Sequence, residues 1–181
     1  MKRRATLVAM VVVGMVLLSS GTAVAELKAE KLSLTPMIGG YVFEGNQQSE
    51  RHDGAFSLAL GFNATKNWGT EFTLSYVDSE SRYGNHSDID VYLIRWEVLY
   101  HFWPEKKLVP YLAAGGGTLI ADPEGRDPDP DLMVDYGGGL KYFLTENLAL
   151  RGDVRHVYEI DDKYNNLIYS FGLLIQFAGS K

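Results

Sequence analysis

Cysteine is absent from all 181 residues. That excludes disulfides, a thiolate zinc site and a lipidated N-terminal cysteine. Basic residues are the minority: 17 Lys+Arg against 23 Asp+Glu, for a net charge of -6. A chain with this balance lacks the basic face that grips nucleic acid, so no nucleic-acid partner is expected. A helical hydrophobic period of useful length is missing from residue 26 onward. The longest apolar run, Leu7 to Leu18, has 12 residues, well short of the ~20 that a membrane helix needs. What the chain has instead is glycine, 19 residues, and tyrosine, 11. Glycine weakens helices and aromatics favour strands, so this load points to β structure.

Residues 1–25 read as an export signal. Lys2, Arg3 and Arg4 precede the short apolar run, and Ala23-Val24-Ala25 is a small-x-small cleavage site. The signal is expected to be removed, leaving a single domain over residues 26–181.

From there the chain shows period two again and again. Strands are expected near 32–43, 54–62, 68–77, 89–102, 108–120, 132–144, 147–158 and 166–177. Pro36 and Pro110 fall in or near strands, where each removes a ladder bond, so local irregularity is expected there. Eight segments of about ten residues are the signature of a small membrane barrel. The fold class is therefore all-β: an eight-stranded antiparallel transmembrane barrel with up-and-down topology.

Alternation shows which solvent lies outside. In the last segment Leu167, Tyr169, Phe171, Leu173, Ile175 and Phe177 share one face. In the fourth, Tyr92, Ile94, Trp96, Val98, Tyr100 and Phe102 oppose Arg95, Glu97 and His101. In the seventh, Leu148, Leu150, Gly152, Val154 and Tyr158 oppose Arg151, Asp153 and Arg155, with His156 the polar exception. A soluble barrel would turn the apolar face inward and the charges to water. Here the apolar face is continuous and nearly free of charge, so lipid is the outer solvent.

The other face then lines the lumen. It carries Glu71, Glu97, Asp135 and Asp153 against Arg95, Lys141, Arg151 and Arg155. Four acids and four bases permit pairing, which a narrow lumen demands. The expectation is a salt-bridged plug in which these charges pair across the barrel; a charge-lined ion path is the alternative. Gly115-Gly116-Gly117 and Gly137-Gly138-Gly139 fall in adjacent segments and leave room for long side chains from the opposite wall.

Connections alternate in length, with short turns at 63–67, 103–107 and 145–146. Longer polar loops fall at 44–53, 78–88, 121–131 and 159–165. Those loops hold fourteen acids and four bases, a net of -10. Short periplasmic turns and long outer loops are the bacterial pattern.

Several stretches carry a resemblance: Leu34-Thr35-Pro36-Met37-Ile38-Gly39-Gly40-Tyr41, Pro110-Tyr111-Leu112-Ala113-Ala114-Gly115, Gly137-Gly138-Gly139-Leu140-Lys141-Tyr142-Phe143-Leu144 and Asn147-Leu148-Ala149-Leu150-Arg151-Gly152-Asp153-Val154-Arg155. On these the chain resembles the eight-stranded outer-membrane barrel family typified by the OmpA transmembrane domain. The end, Ser170-Phe171-Gly172-Leu173-Leu174-Ile175-Gln176-Phe177, is similar to the terminal signal read by the barrel assembly machinery. The resemblance makes Ser170, Gly172, Ile175 and Phe177 the assembly residues. It implies a monomer in the outer membrane of a Gram-negative cell, among outer-membrane lipids and lipopolysaccharide. No peptidoglycan-binding domain is expected, so a cell-wall anchoring role does not carry over.

Chemistry is sparse. Small barrels that modify lipid A use His, Ser and acidic residues near the outer rim, and His52 with Asp78-Ser79 are the right types at the right level. No local motif joins them, and no enzyme is expected. Asp127-Pro128-Asp129-Pro130-Asp131 lacks the glycine and final Glu of a calcium loop, and reads as a solvated acidic loop. No cofactor or metal is expected. The function expected is a structural or surface-interaction barrel; a narrow diffusion channel is the runner-up and a lipid A-modifying enzyme comes third.

Overall fold

The computed structural model describes residues 27–42, 53–80, 88–123, 129–161 and 163–177. The signal segment, His52, residues 124–128 with Asp127 and Pro128, and the four residues after Phe177 lie outside it.

Eight strands form one antiparallel barrel, each pairing with the next and the last with the first. They are β1 (Lys31–Val42), β2 (Asp53–Asn63), β3 (Trp68–Glu80), β4 (Asp88–His101), β5 (Leu108–Pro123), β6 (Asp129–Thr145), β7 (Leu148–Glu159) and β8 (Asn165–Phe177). Among the described residues there is no helix. Closure leaves no exposed strand edge, which is what makes a sheet tolerable in lipid. The strands β3, β5 and β6 run further than expected, into stretches read from sequence as loop. The ladder Glu80↔Asp88 continues the β3–β4 pairing above the apolar band. The sequence Asp78-Ser79-Glu80 carries no apolar alternation to mark the strand.

The two prolines behave differently. Between β1 and β8 the pairs Leu34↔Ile175 and Met37↔Gly172 keep one register, but pairing is interrupted between them, at Thr35 and Pro36. Pro36 has no N–H to give to β8. Pro110 leaves no such gap: it faces Leu140 in an unbroken β5–β6 ladder. Its missing N–H falls at the end of the β4–β5 pairing, beyond His101↔Tyr111. The register shift lies elsewhere, at Phe143/Thr145 between β6 and β7. Beside it Leu148, expected to face lipid, is buried.

Outward residues make an apolar wall that includes Phe56, Leu60, Phe72, Leu74, Trp96 and Leu112, all exposed on the isolated chain. Aromatics gather at both rims. Tyr76 and Tyr92 stand 5.4 Å apart on the long-loop side. Trp68 and Phe102 flank Tyr100 at 4.9 and 5.0 Å on the short-turn side. These are the girdles that seat a barrel at the two membrane surfaces. Two polar groups on this wall bond in a chain: Trp96 Nε1 donates to Thr70 Oγ1 at 2.6 Å, and Thr70 in turn donates to the Glu97 carbonyl.

Candidate functional site

The lumen is stacked in three layers. Towards the long loops, Tyr41, Val77, Val91, Leu93, Leu119 and Ile168 belong to one buried apolar cluster. Towards the short turns, Leu27, Val109, Phe143, Ala149 and Leu174 form a second. The eight lumen charges expected from sequence lie between them; Glu159, read from sequence as a loop residue, is instead the last residue of β7, buried in the long-loop layer and bonded by Asn166.

The middle layer is built on β7, whose inward positions Arg151, Asp153 and Arg155 follow from period two. Arg151 reaches across the barrel to Glu71 on β3 with two parallel bonds, 2.6 and 2.7 Å. This fork-to-carboxylate geometry is the strong form of an ion pair. The same guanidinium holds Asp153 Oδ2 at 2.8 Å through Nη2. Asp153 also accepts from the Tyr111 hydroxyl at 2.7 Å and the Ser170 hydroxyl at 2.8 Å. Arg155 Nε donates to Glu97 Oε1 at 2.7 Å. Thr73 donates to the second oxygen of Glu97 at 3.2 Å. Every one of these charged side chains is nearly or fully buried.

Tyr111 is the hub. Its ring lies under three cations, with Lys141 Nζ at 4.9 Å, the Arg151 guanidinium at 5.2 Å and that of Arg155 at 5.5 Å. To reach Asp153 its hydroxyl passes over Gly139 of β6, where an added Cβ would lie 2.7 Å from that oxygen. Gly139 is thus the residue that lets β5 bond to β7 across β6. Gly115 and Gly137 are tighter still: a side chain at either would strike the backbone of the adjacent strand.

All eight charges expected in the lumen point into it and are buried. Three depart from the pairing expected of them: Lys141, Asp135 and Arg95. Lys141 forms no ion pair among the described residues; it donates to His101 Nε2 at 2.8 Å, while His101 Nδ1 faces the Asn67 carbonyl at 3.3 Å. Arginine has taken the carboxylates because its fork satisfies two oxygens at once, and a point-charge ammonium does not. Both oxygens of Asp135 lack a hydrogen-bond donor, as do Nε and Nη1 of Arg95 an acceptor. Arg95 comes no closer to Glu97 than 3.8 Å.

The four residues of the terminal signal divide between the faces. Phe177 is exposed on the wall and Ile175 shares its face, half-buried. Ser170 belongs to the charge layer, and Gly172 sits against Pro36 and Met37 of β1. Sequence reading missed Tyr111 and the pairing of His101. Period two on β5 assigns Tyr111 to the lumen, but nothing in the sequence states that it spans a glycine.

A further closure lies at the short-turn end. Residues 27–30 precede β1 and cross beneath the barrel. Leu27 N donates to Pro104 O at 2.9 Å, which ties the segment to the β4–β5 turn. Asn63 Nδ2 donates to Lys28 O, and Lys28 pairs with Glu146 of the β6–β7 turn at 2.7 Å. Leu27 itself is fully buried. Among the described residues no group of His, Asp and Glu is arranged to hold a metal ion.

Known proteins share this architecture. The Neisserial surface protein A matches with a TM-score of 0.65 at 16% identity, over 81% of this chain and 97% of that one. Ail of Yersinia pestis, in complex with the heparin analogue sucrose octasulfate, matches with a TM-score of 0.63 at 14% identity, over 82% and 99%. The outer membrane protein OprG from Pseudomonas aeruginosa matches at 0.62 and 12% identity, over 86% and 99%. At these identities the likeness is one of fold. No curated protein matches the chain. The model of the outer membrane protein beta-barrel domain family matches residues 11–177. With a closed eight-stranded barrel, a lipid-suited wall and a charged lumen already evident, the chain belongs to that family and is an outer-membrane barrel.

Proposed function

We propose that this protein is a closed structural barrel that presents acidic loops at the cell surface and does not conduct. The observation that carries this reading is the layered lumen. A paired charge layer lies between two apolar clusters, and Leu27 is buried at the short-turn end. An ion would have to pass both clusters, whose buried apolar side chains strip its hydration, beside only a few polar groups: Tyr41, Glu159 and Asn166 at the long-loop side and Gln176 at the short-turn side. An eight-stranded barrel is just wide enough for its own side chains.

The remaining roles follow. The chain reaches the outer membrane after cleavage behind Ala25, is recognised by the assembly machinery through its last strand, and stands as a monomer. No reaction is assigned: Glu71, Glu97, Arg151, Asp153 and Arg155 are engaged with one another rather than arranged around a substrate. The loops, at a net of -10, suit divalent cations shared with lipopolysaccharide phosphates. They do not suit a polyanion, so the sulfated ligand of Ail is not carried over.

Planar-bilayer recording of the refolded protein tests the reading. The expected trace is flat, with at most brief, rare openings. A steady, ion-selective current would replace this reading with the diffusion channel.

A further inference from the structure

The lipid-facing wall is not uniformly convex. A groove of about 970 Å³ crosses it from the foot of β5 and β6 towards β8 and β1. Outward glycines make its floor, and Leu140, Val154, Phe171 and Ile38 make its sides. The register explains the hollow. Gly138 stands opposite Val154 and Gly152 opposite Leu140, so each large side chain faces a missing one and the notch runs diagonally. The volume falls within the ~300–1,000 Å³ typical of ligand sites, and its lining is almost wholly apolar.

The lower end of the groove is charged differently from the rest of the molecule. Leu108 and Tyr142, a cross-strand pair, border it at the short-turn side. Lys107 precedes Leu108 and is exposed; its carbonyl accepts from Phe143 N at 2.8 Å, which fixes its backbone at the groove mouth. Among the described residues no ion pair engages Lys107, while Glu146 of the next turn is held by Lys28. Lys106 lies over the Trp103 ring at 5.1 Å, adding a second cation to this turn, which with the exposed Glu105 is left with a net positive charge. The long loops at the other end are strongly acidic. A lipid with an anionic headgroup is therefore favoured at the short-turn end alone.

We propose that this groove seats one acyl chain of an inner-leaflet phospholipid, whose anionic headgroup is met by Lys107. A concave apolar track touches more of a chain than the convex wall beside it, and within the bilayer, where no water is released, it is this extra van der Waals contact that favours the seated chain. Such a lipid stays bound where the surrounding ones exchange.

Native mass spectrometry of the barrel released from nanodiscs tests this, using an equal mixture of phosphatidylglycerol and phosphatidylcholine. Folding of every variant is checked by heat-modifiable gel migration. The wild type is expected to carry one retained lipid, enriched in phosphatidylglycerol. Lys107→Gln should lower that enrichment about fivefold, the effect of removing one lysine near an anionic surface. Gly152→Leu should fill the floor and abolish retention of both lipids. Should that variant fail to fold, Gly152→Ala serves: its methyl would meet Phe171 Cδ2 at 3.6 Å, an ordinary contact, and should weaken retention. A bare wild-type barrel, or undiminished retention in the folded Gly152 variants, overturns the proposal. So does unchanged enrichment in Lys107→Gln. A lipid-free dimer dispersed by Gly152→Leu also overturns it, giving the groove to a second copy of the chain.

Discussion

On β7 the two faces obey different rules. Outward, Leu150, Val154 and Tyr158 need only be large and apolar, because any lipid chain will cover them. Inward, Arg151, Asp153 and Arg155 each depend on particular atoms of other strands: Glu71 on β3, Glu97 on β4, Tyr111 on β5 and Ser170 on β8. The wall is therefore tolerant by composition and the lumen intolerant by geometry. Substitutions should expose that difference, and their ranking tests it.

The largest loss is expected in the lumen. Arg151→Ala leaves Glu71 and Asp153 buried without their main cation, which should cost about 3–5 kcal/mol. Urea unfolding of the refolded protein in liposomes measures it. Arg155→Ala should fall at the lower end of that range, and its bilayer recording should stay as flat as the wild type's. A loss under about 1 kcal/mol for both would place the lumen on the same footing as the wall.

Next comes a charge forced onto the wall. Leu74→Arg, at the middle of β3, should cost about 2–4 kcal/mol by the same assay, while Leu74→Ile should be close to neutral. Leu27→Ala removes the side chain buried beneath the barrel and should cost about 2 kcal/mol, the low end for a buried leucine, because the site lies at the end of the core. The smallest stability effect is at the last strand. Phe177→Asp lies at the membrane interface, where a charge costs about 0–1 kcal/mol. It should nevertheless deplete the protein from the outer membrane of expressing cells, since recognition rather than stability is at stake. Normal amounts of folded Phe177→Asp in cells would remove the assembly role.

This difference between faces also governs how much the sequence discloses. Period two states directly which residues meet lipid, and it assigned Arg95, Glu97, Arg151 and Arg155 to the lumen without any knowledge of partners. It does not state who meets whom. Glu71 and Arg151 are 80 residues apart, and their meeting depends on barrel closure and strand stagger, which belong to all eight strands together. Lys141 shows the limit well. Its side chain is placed correctly by parity, yet its partner is His101, because the arginines occupy the carboxylates. The strand ends were obscured for the opposite reason. Asp78-Ser79-Glu80 has no apolar residue to alternate, so the β3–β4 pairing continues there without a pattern to announce it. Leu27 was hidden because one apolar residue before a strand has no period at all.

The central claim is that opposed charges hold the lumen as pairs. A double-mutant cycle on Arg151 and Glu71 tests it most directly, with Arg151→Leu, Glu71→Leu and the double variant unfolded in parallel. The account predicts that the double variant is more stable than the sum of the single losses allows, with a coupling of at least about 1.5 kcal/mol, as for close charge pairs elsewhere. Additive losses, with a coupling near zero, would contradict it.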